Sequence, residues 1–183
     1  MRSPLTAPAL LGLVGLSALA FGCSSYAIAP PKQAVLHPFQ SIANEEFARV
    51  CIVRNNGYYA RAVTFVTHDN GVLVGATKGG TYYCYQAEPG RHVLLLEADG
   101  ESQVTFVAVA GKSYYLKEVA PWHLWKLTPR GVWMDEQEAK EEIEDSTYEI
   151  VVEAPSKENL PARPVVVKAA GAGAPSPASP PGL

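Results

Sequence analysis

From about Asn44 the chain breaks into short runs of Val, Ile, Tyr, Thr and Phe separated by Gly, Asn, Asp and Pro, the punctuation of strands and turns. The first run is Ala48–Arg54, in which Val50 and Ile52 share one face and Cys51 and Val53 the other, so both faces are expected to be partly buried. Further strands are expected at Ala62–His68, Val72–Val74, Thr81–Tyr85, Arg91–Glu97, Val104–Val109 and Ser113–Val119. Asp69-Asn70-Gly71 is the clearest hairpin connection, because Asn and Gly tolerate the positive φ that tight turns require. The unbroken apolar runs Val93–Leu96 and Val107–Val109 read as central strands. Seven or so short strands at this spacing predict a mainly β fold, a single small antiparallel β-sandwich.

Beyond Trp125 the period changes. Asp135–Asp145 reads as a helix with an N-terminal Asp three residues before Glu138, a capping-box spacing, and an inward stripe made of Ala139 and Ile143, with Val132, Trp133 or Met134 near its start. Its surplus of acids reads as a solvated face, with a docking surface for a basic partner as the alternative. Tyr148–Val152 is expected to add a closing strand. Residues 154–183, rich in Pro, Ala and Gly, lack the apolar period needed to bury a core and read as a disordered tail. The sandwich domain is therefore placed at 44–153, with the helix at about 135–145.

The N-terminus sets the compartment. Arg2 precedes an apolar run from Ala9 to Phe21 that is too short to cross a bilayer, which takes about 20 residues, so residues 1–22 read as a secretory signal. Leu19-Ala20-Phe21-Gly22-Cys23 resembles the lipobox of bacterial lipoproteins, which implies acylation of Cys23 and permanent membrane attachment. It departs from that pattern at Ala20, where a large aliphatic residue is usual, and at the bulky Phe21. Ordinary signal cleavage after Gly22 or Ala29 is the competing reading, and would give a secreted or periplasmic soluble protein. Ser24 after the cysteine, by resemblance to enteric lipoproteins, implies transfer to the outer membrane. Residues 23–43, with Pro30, Pro31 and Pro38, read as an anchor and a spacer.

With Cys23 set aside, Cys51 and Cys84 are most simply a disulfide in an oxidising compartment, with two buried thiols as the alternative. The formal net charge of −3 gives no footprint for nucleic acid. The four histidines are dispersed, and no short-spaced Cys or His pairs suggest a metal. His92, in an apolar strand, reads as a satisfied core histidine. Gly100-Glu101-Ser102-Gln103-Val104 lacks the last glycine of a nucleophile elbow, and Lys78 precedes Gly79-Gly80 instead of following a phosphate-loop glycine. Asp69 and Asp99 fall at turns and are given local backbone roles. No catalytic set, metal or cofactor is expected. If a ligand binds, exposed aromatics are the preferred means, with Trp122, Trp125 and Tyr114 as candidates for a glycan or peptide.

Ala48 to about Val119 resembles a family of uncharacterised bacterial lipoprotein domains. The shared features are an opening strand ending in Arg54, the hairpin Asp69–Gly75, the Pro89-Gly90-Arg91-His92 turn and the strand Gly111-Lys112-Ser113-Tyr114-Tyr115. The Pro-Gly turn is also similar to the PEGA-type β domains of surface proteins. The resemblance implies an immunoglobulin-like or transthyretin-like sandwich and carries over no active site. It leaves a non-enzymatic envelope lipoprotein, with a structural, assembly or adhesion role toward an envelope protein or peptidoglycan, as the leading expectation. The oligomeric state stays open.

Overall fold

The structure, a computed structural model, describes residues 25–32, 37–40, 45–121, 126–155 and 159–160. The signal run, Cys23, Trp122, Trp125 and the tail beyond residue 160 lie outside the described residues. In chain order the strands are β1 Ala27–Ala29, β2 Ala48–Arg54, β3 Phe65–Asp69, β4 Val72–Thr77, β5 Thr81–Ala87, β6 Gly90–Glu97, β7 Glu101–Ala108, β8 Ser113–Val119 and β9 Arg130–Met134. Helix α1, Glu136–Glu144, follows, then β10 Thr147–Tyr148 and β11 Ile150–Glu153. The fold is mainly β.

The strands form a five-stranded sheet in the order β10-β5-β2-β8-β9, a four-stranded sheet in the order β4-β3-β6-β7, and the ribbon β1-β11. All seven residues of β2 are buried. Their side chains alternate between two clusters, which explains why both faces read as apolar. Val50 and Ile52 join Tyr83, Leu94, Leu96, Phe106 and Leu116 between the sheets. Cys51 and Val53 join Tyr82, Tyr115, Met134 and the α1 residues Ala139 and Ile143 on the outer face of the five-stranded sheet. A third cluster, Val66, Leu73, Ala76 and Val151 with Tyr26 and Ile28, holds the ribbon on the outer face of the four-stranded sheet. The layers therefore run helix, sheet, sheet, ribbon.

Local chemistry accounts for the connections. Asn70 (φ 49°) and Gly71 (φ 81°) make the two-residue hairpin turn, and Asp69 pairs with Val72 across it. The β3–β4 register shifts between Thr67 and His68, opposite Gly75 and Leu73. The extra residue lets Leu73 and Ala76, three apart, both face the ribbon. The Asp135 carboxylate accepts the Glu138 N–H at 2.8 Å, which caps α1 as the sequence spacing requires.

Several elements differ from the sequence expectation. β2 runs parallel to β8 and β10 parallel to β5, so the five-stranded sheet is mixed where an antiparallel one was expected, because the β7–β8 connection crosses between sheets. Val107–Val109, expected in a central strand, falls at the end of β7, an edge of the four-stranded sheet. Ala27–Ala29, inside the expected spacer, is a strand paired with β11. Arg130–Met134 is a strand on β8, where Val132, Trp133 or Met134 had been given to the start of the helix's inward stripe; pairing with β8 takes them into the sheet instead. The single closing strand is two: β10 runs parallel to β5, and after Glu149, whose N–H donates to the Tyr82 carbonyl, β11 leaves for β1.

Candidate functional site

Cys51 and Cys84 face each other across β2 and β5 and are bonded to one another. The bond ties adjacent central strands beneath α1 and closes a loop with a sequence separation of 33.

Polar side chains gather at two places between the sheets. At one, the Asp69 carboxylate accepts from the Tyr85 hydroxyl at 2.9 Å and lies 2.7 Å from His92 Nδ1, while His92 Nε2 lies 2.7 Å from the Glu88 carbonyl oxygen. The His92 ring stacks on Phe106, with centroids 5.2 Å apart. Burial, then the neighbouring Asp69 charge, pushes the Tyr85 hydroxyl far up, so it remains a donor. The grouping of a carboxylate and an imidazole resembles a general-base pair, but the ring nitrogen that would have to face a nucleophile faces a backbone carbonyl instead. What this arrangement does is clamp β3, β5 and β6. His92 is thus the satisfied core histidine expected of it. Asp69, expected to serve its own turn, reaches inward to another sheet.

At the second place, the fully buried Glu118 of β8 accepts hydrogen bonds from Thr67 at 3.0 Å and from Thr77, both on the opposite sheet. Arg54, at the end of β2, donates to the carbonyls of Val63, at 2.6 Å, and Ala60. Its guanidinium sits 3.5 Å above the centre of the Phe65 ring. Burial pushes the Glu118 carboxyl up, against the opposing pull of the Thr77 and Thr67 hydroxyls and of Arg54. Burial next to Glu118 likewise drives the Tyr83 hydroxyl up. The cluster has no exposed carboxylate to offer a substrate, and it spans the sandwich as a polar bridge.

Neither cluster was singled out from sequence, although a signal existed. Arg54 shares strand parity with Val50 and Ile52, and Glu118 with Tyr114 and Leu116, so two charged groups sit on the inward faces of apolar strands.

Tyr114 is 8% exposed and lies between the sheets among Phe106 and Trp133. Its hydroxyl donates to the Val107 carbonyl at 3.0 Å and accepts the Val109 N–H at 3.1 Å. A ligand reaching that ring would have to open the core. Trp122 and Trp125 fall outside the described residues. The aromatic side chain most open to solvent among the described residues is instead Tyr58, 98% exposed, on the connection between β2 and β3. The base of that connection is pinned by the two Arg54 hydrogen bonds and by Gly79 N–H to the Arg61 carbonyl at 2.9 Å, and Ala60 is held at φ 55°. A non-glycine residue in the left-handed region is uncommon, and here the Arg54 bond to its carbonyl holds it there.

In comparisons with known proteins the chain matches no family model, no curated protein and no solved structure.

Proposed function

We propose that the chain is a bacterial cell-envelope lipoprotein, anchored through Cys23 as the acylated residue, with a non-enzymatic domain that serves assembly or scaffolding, set at the outer membrane and facing the periplasm. The observation that carries the reading is the Cys51–Cys84 bond, since structural disulfides persist in oxidising compartments and the N-terminal run reads as an export signal. The internal use of both polar clusters supports a binding or structural role over a catalytic one. Within the sandwich class the immunoglobulin-like form fits best. The bonds of Tyr114 to the backbone at Val107 and Val109, just upstream across a corner where the chain passes from one sheet to the other, resemble the tyrosine corner of that fold.

The test is intact mass and membrane partition of the protein from its own host beside a Cys23→Ala variant. A mature N-terminus at acylated Cys23, with membrane partition lost in the variant, supports the reading. A soluble chain without lipid refutes it.

A second reading, a small-ligand module for a glycan or peptide, is favoured by the exposure of Tyr58 on its pinned loop. Titration with soluble peptidoglycan fragments, followed by tyrosine fluorescence, should then give a saturable signal that Tyr58→Ala removes. Identical titrations for both proteins would discard this use of the loop.

A further inference from the structure

The layer order and the ribbon together restrict how a lipid-anchored domain can sit. Cys23 precedes Ala27 by four residues, which at full extension span about 14 Å. A folded domain of this size has a radius of gyration of about 13 Å, so the tether is no longer than the domain is thick from centre to surface. β1 is not loose at the end of that tether. It is paired with β11 from Ala27 to Ala29, and Tyr26 and Ile28 pack against Val66, Leu73, Ala76 and Val151. The chain therefore enters the domain on one outer face of the sandwich. α1 is fixed to the other, through Ala139 and Ile143. With layers about 10 Å apart, the helix lies ~30 Å from the ribbon.

Charge agrees with this placement. α1 and its caps carry Asp135, Glu136, Glu138, Glu141, Glu142, Glu144 and Asp145, against Lys140 within the helix and Lys117, from β8, paired with Glu138 and Glu142. Anionic phospholipid headgroups would repel that face. On the ribbon side Val152 is 47% exposed and Glu153, also exposed, is the one charged residue of β1 and β11, against seven acids on the helix and its caps.

We infer that the outer side of the β1-β11 ribbon is the membrane-facing surface of the domain, its partner a phospholipid bilayer, and that α1 is presented away from the bilayer. The inference rests on the lipid-anchor reading and adds to it a fixed orientation in place of a domain swinging on a spacer.

The test uses the full-length acylated protein on vesicles of phosphatidylethanolamine and phosphatidylglycerol with a headgroup-labelled acceptor lipid. A donor dye is attached through a single introduced thiol, Val152→Cys or Glu141→Cys; acylated Cys23 and bonded Cys51 and Cys84 do not compete. Given ~30 Å between the two sites, energy transfer from position 152 should exceed that from 141 by at least about twofold. A flexible Gly/Ser insert of about 20 residues between Ser25 and Tyr26, spanning roughly 25 Å, should abolish the difference while the protein stays vesicle-bound. Equal transfer from the two positions, or more from 141, on vesicle-bound protein overturns the orientation and leaves the anchor standing. Protein that fails to float with the vesicles overturns the anchor and the orientation with it.

Discussion

Replacing Glu118 by alanine removes the acceptor for both the Thr67 and the Thr77 hydroxyl, the two hydrogen bonds through which β8 grips the opposite sheet. An intramolecular hydrogen bond contributes about 0.5–1.5 kcal/mol, and a buried donor left without its acceptor costs about 1–3 kcal/mol. With two hydroxyls stranded at a buried site, a loss of about 4 kcal/mol is expected. A domain of this size has about 5–15 kcal/mol in all, so the melting temperature should fall by roughly 15 °C. Urea unfolding measures the loss, and an unchanged dependence on denaturant would confirm that the folded state is the one affected. Glu118→Gln keeps the shape and gives the linked pH test. Because the folded carboxyl is raised above its ordinary value of 4.5, the wild-type domain favours the protonated form. Its stability should fall, relative to Glu118→Gln, as pH rises from about the ordinary value through the raised one, and the difference should level off above it. An alanine cost below about 1 kcal/mol, or a wild-type-minus-glutamine difference flat with pH, would refute the role given to this bridge.

Three further outcomes follow from the same packing. Cys51→Ala with Cys84→Ala opens a loop with a sequence separation of 33 and should cost about 3–4 kcal/mol in the chain-entropy account; equal denaturation midpoints for oxidised wild type and the double variant would contradict it. Gly75→Ala would place a Cβ 2.3 Å from Cε2 of the buried Tyr83 ring, and overpacking of this kind should cost about 1–3 kcal/mol, read as a lowered melting temperature that a further Tyr83→Leu substitution partly restores. Tyr114→Phe keeps the ring but removes both backbone hydrogen bonds at Val107 and Val109, an expected loss of about 1–2 kcal/mol that urea titration would detect, with faster amide exchange at Val109.

What could be read from the sequence was set by locality. Period-two alternation placed the faces of β2 correctly, Val50 and Ile52 on one side and Cys51 and Val53 on the other, because the strand is long enough to show its own period. The Asp135 cap and the Ala139–Ile143 stripe are likewise local signals. The strand expected from Ala62 begins only at Phe65, since the Arg54 bonds at Ala60 and Val63 hold the intervening residues in a turn. β1 has three residues, followed at once by Pro30 and Pro31, and gains its conformation from a partner more than 120 residues away, which no window along the chain can sense. β9 is five residues with a glycine inside it. Gly131 is needed because a Cβ there would stand 2.7 Å from Val104 Cγ2, a contact made only once the sheets have closed. The polar bridges escaped for a related reason. Inward parity marks Arg54 and Glu118, but only the tertiary fold brings Thr67, Thr77 and Phe65 to meet them.

The antiparallel ribbon also imposes a timetable. β1 is synthesised well before its partner β11, which ends at Glu153, so the pairing of Ala27 with Glu153 must wait until the strands between them have been made. At about 5–20 residues per second of synthesis, that wait is on the order of ten seconds. During it Val66, Leu73 and Ala76 lack the cover of Val151. Once β11 arrives, β1 becomes part of a paired ribbon. Closure of the ribbon is thus the last pairing to form, and a chain truncated before Ile150 would leave β1 without its partner strand and open to proteases.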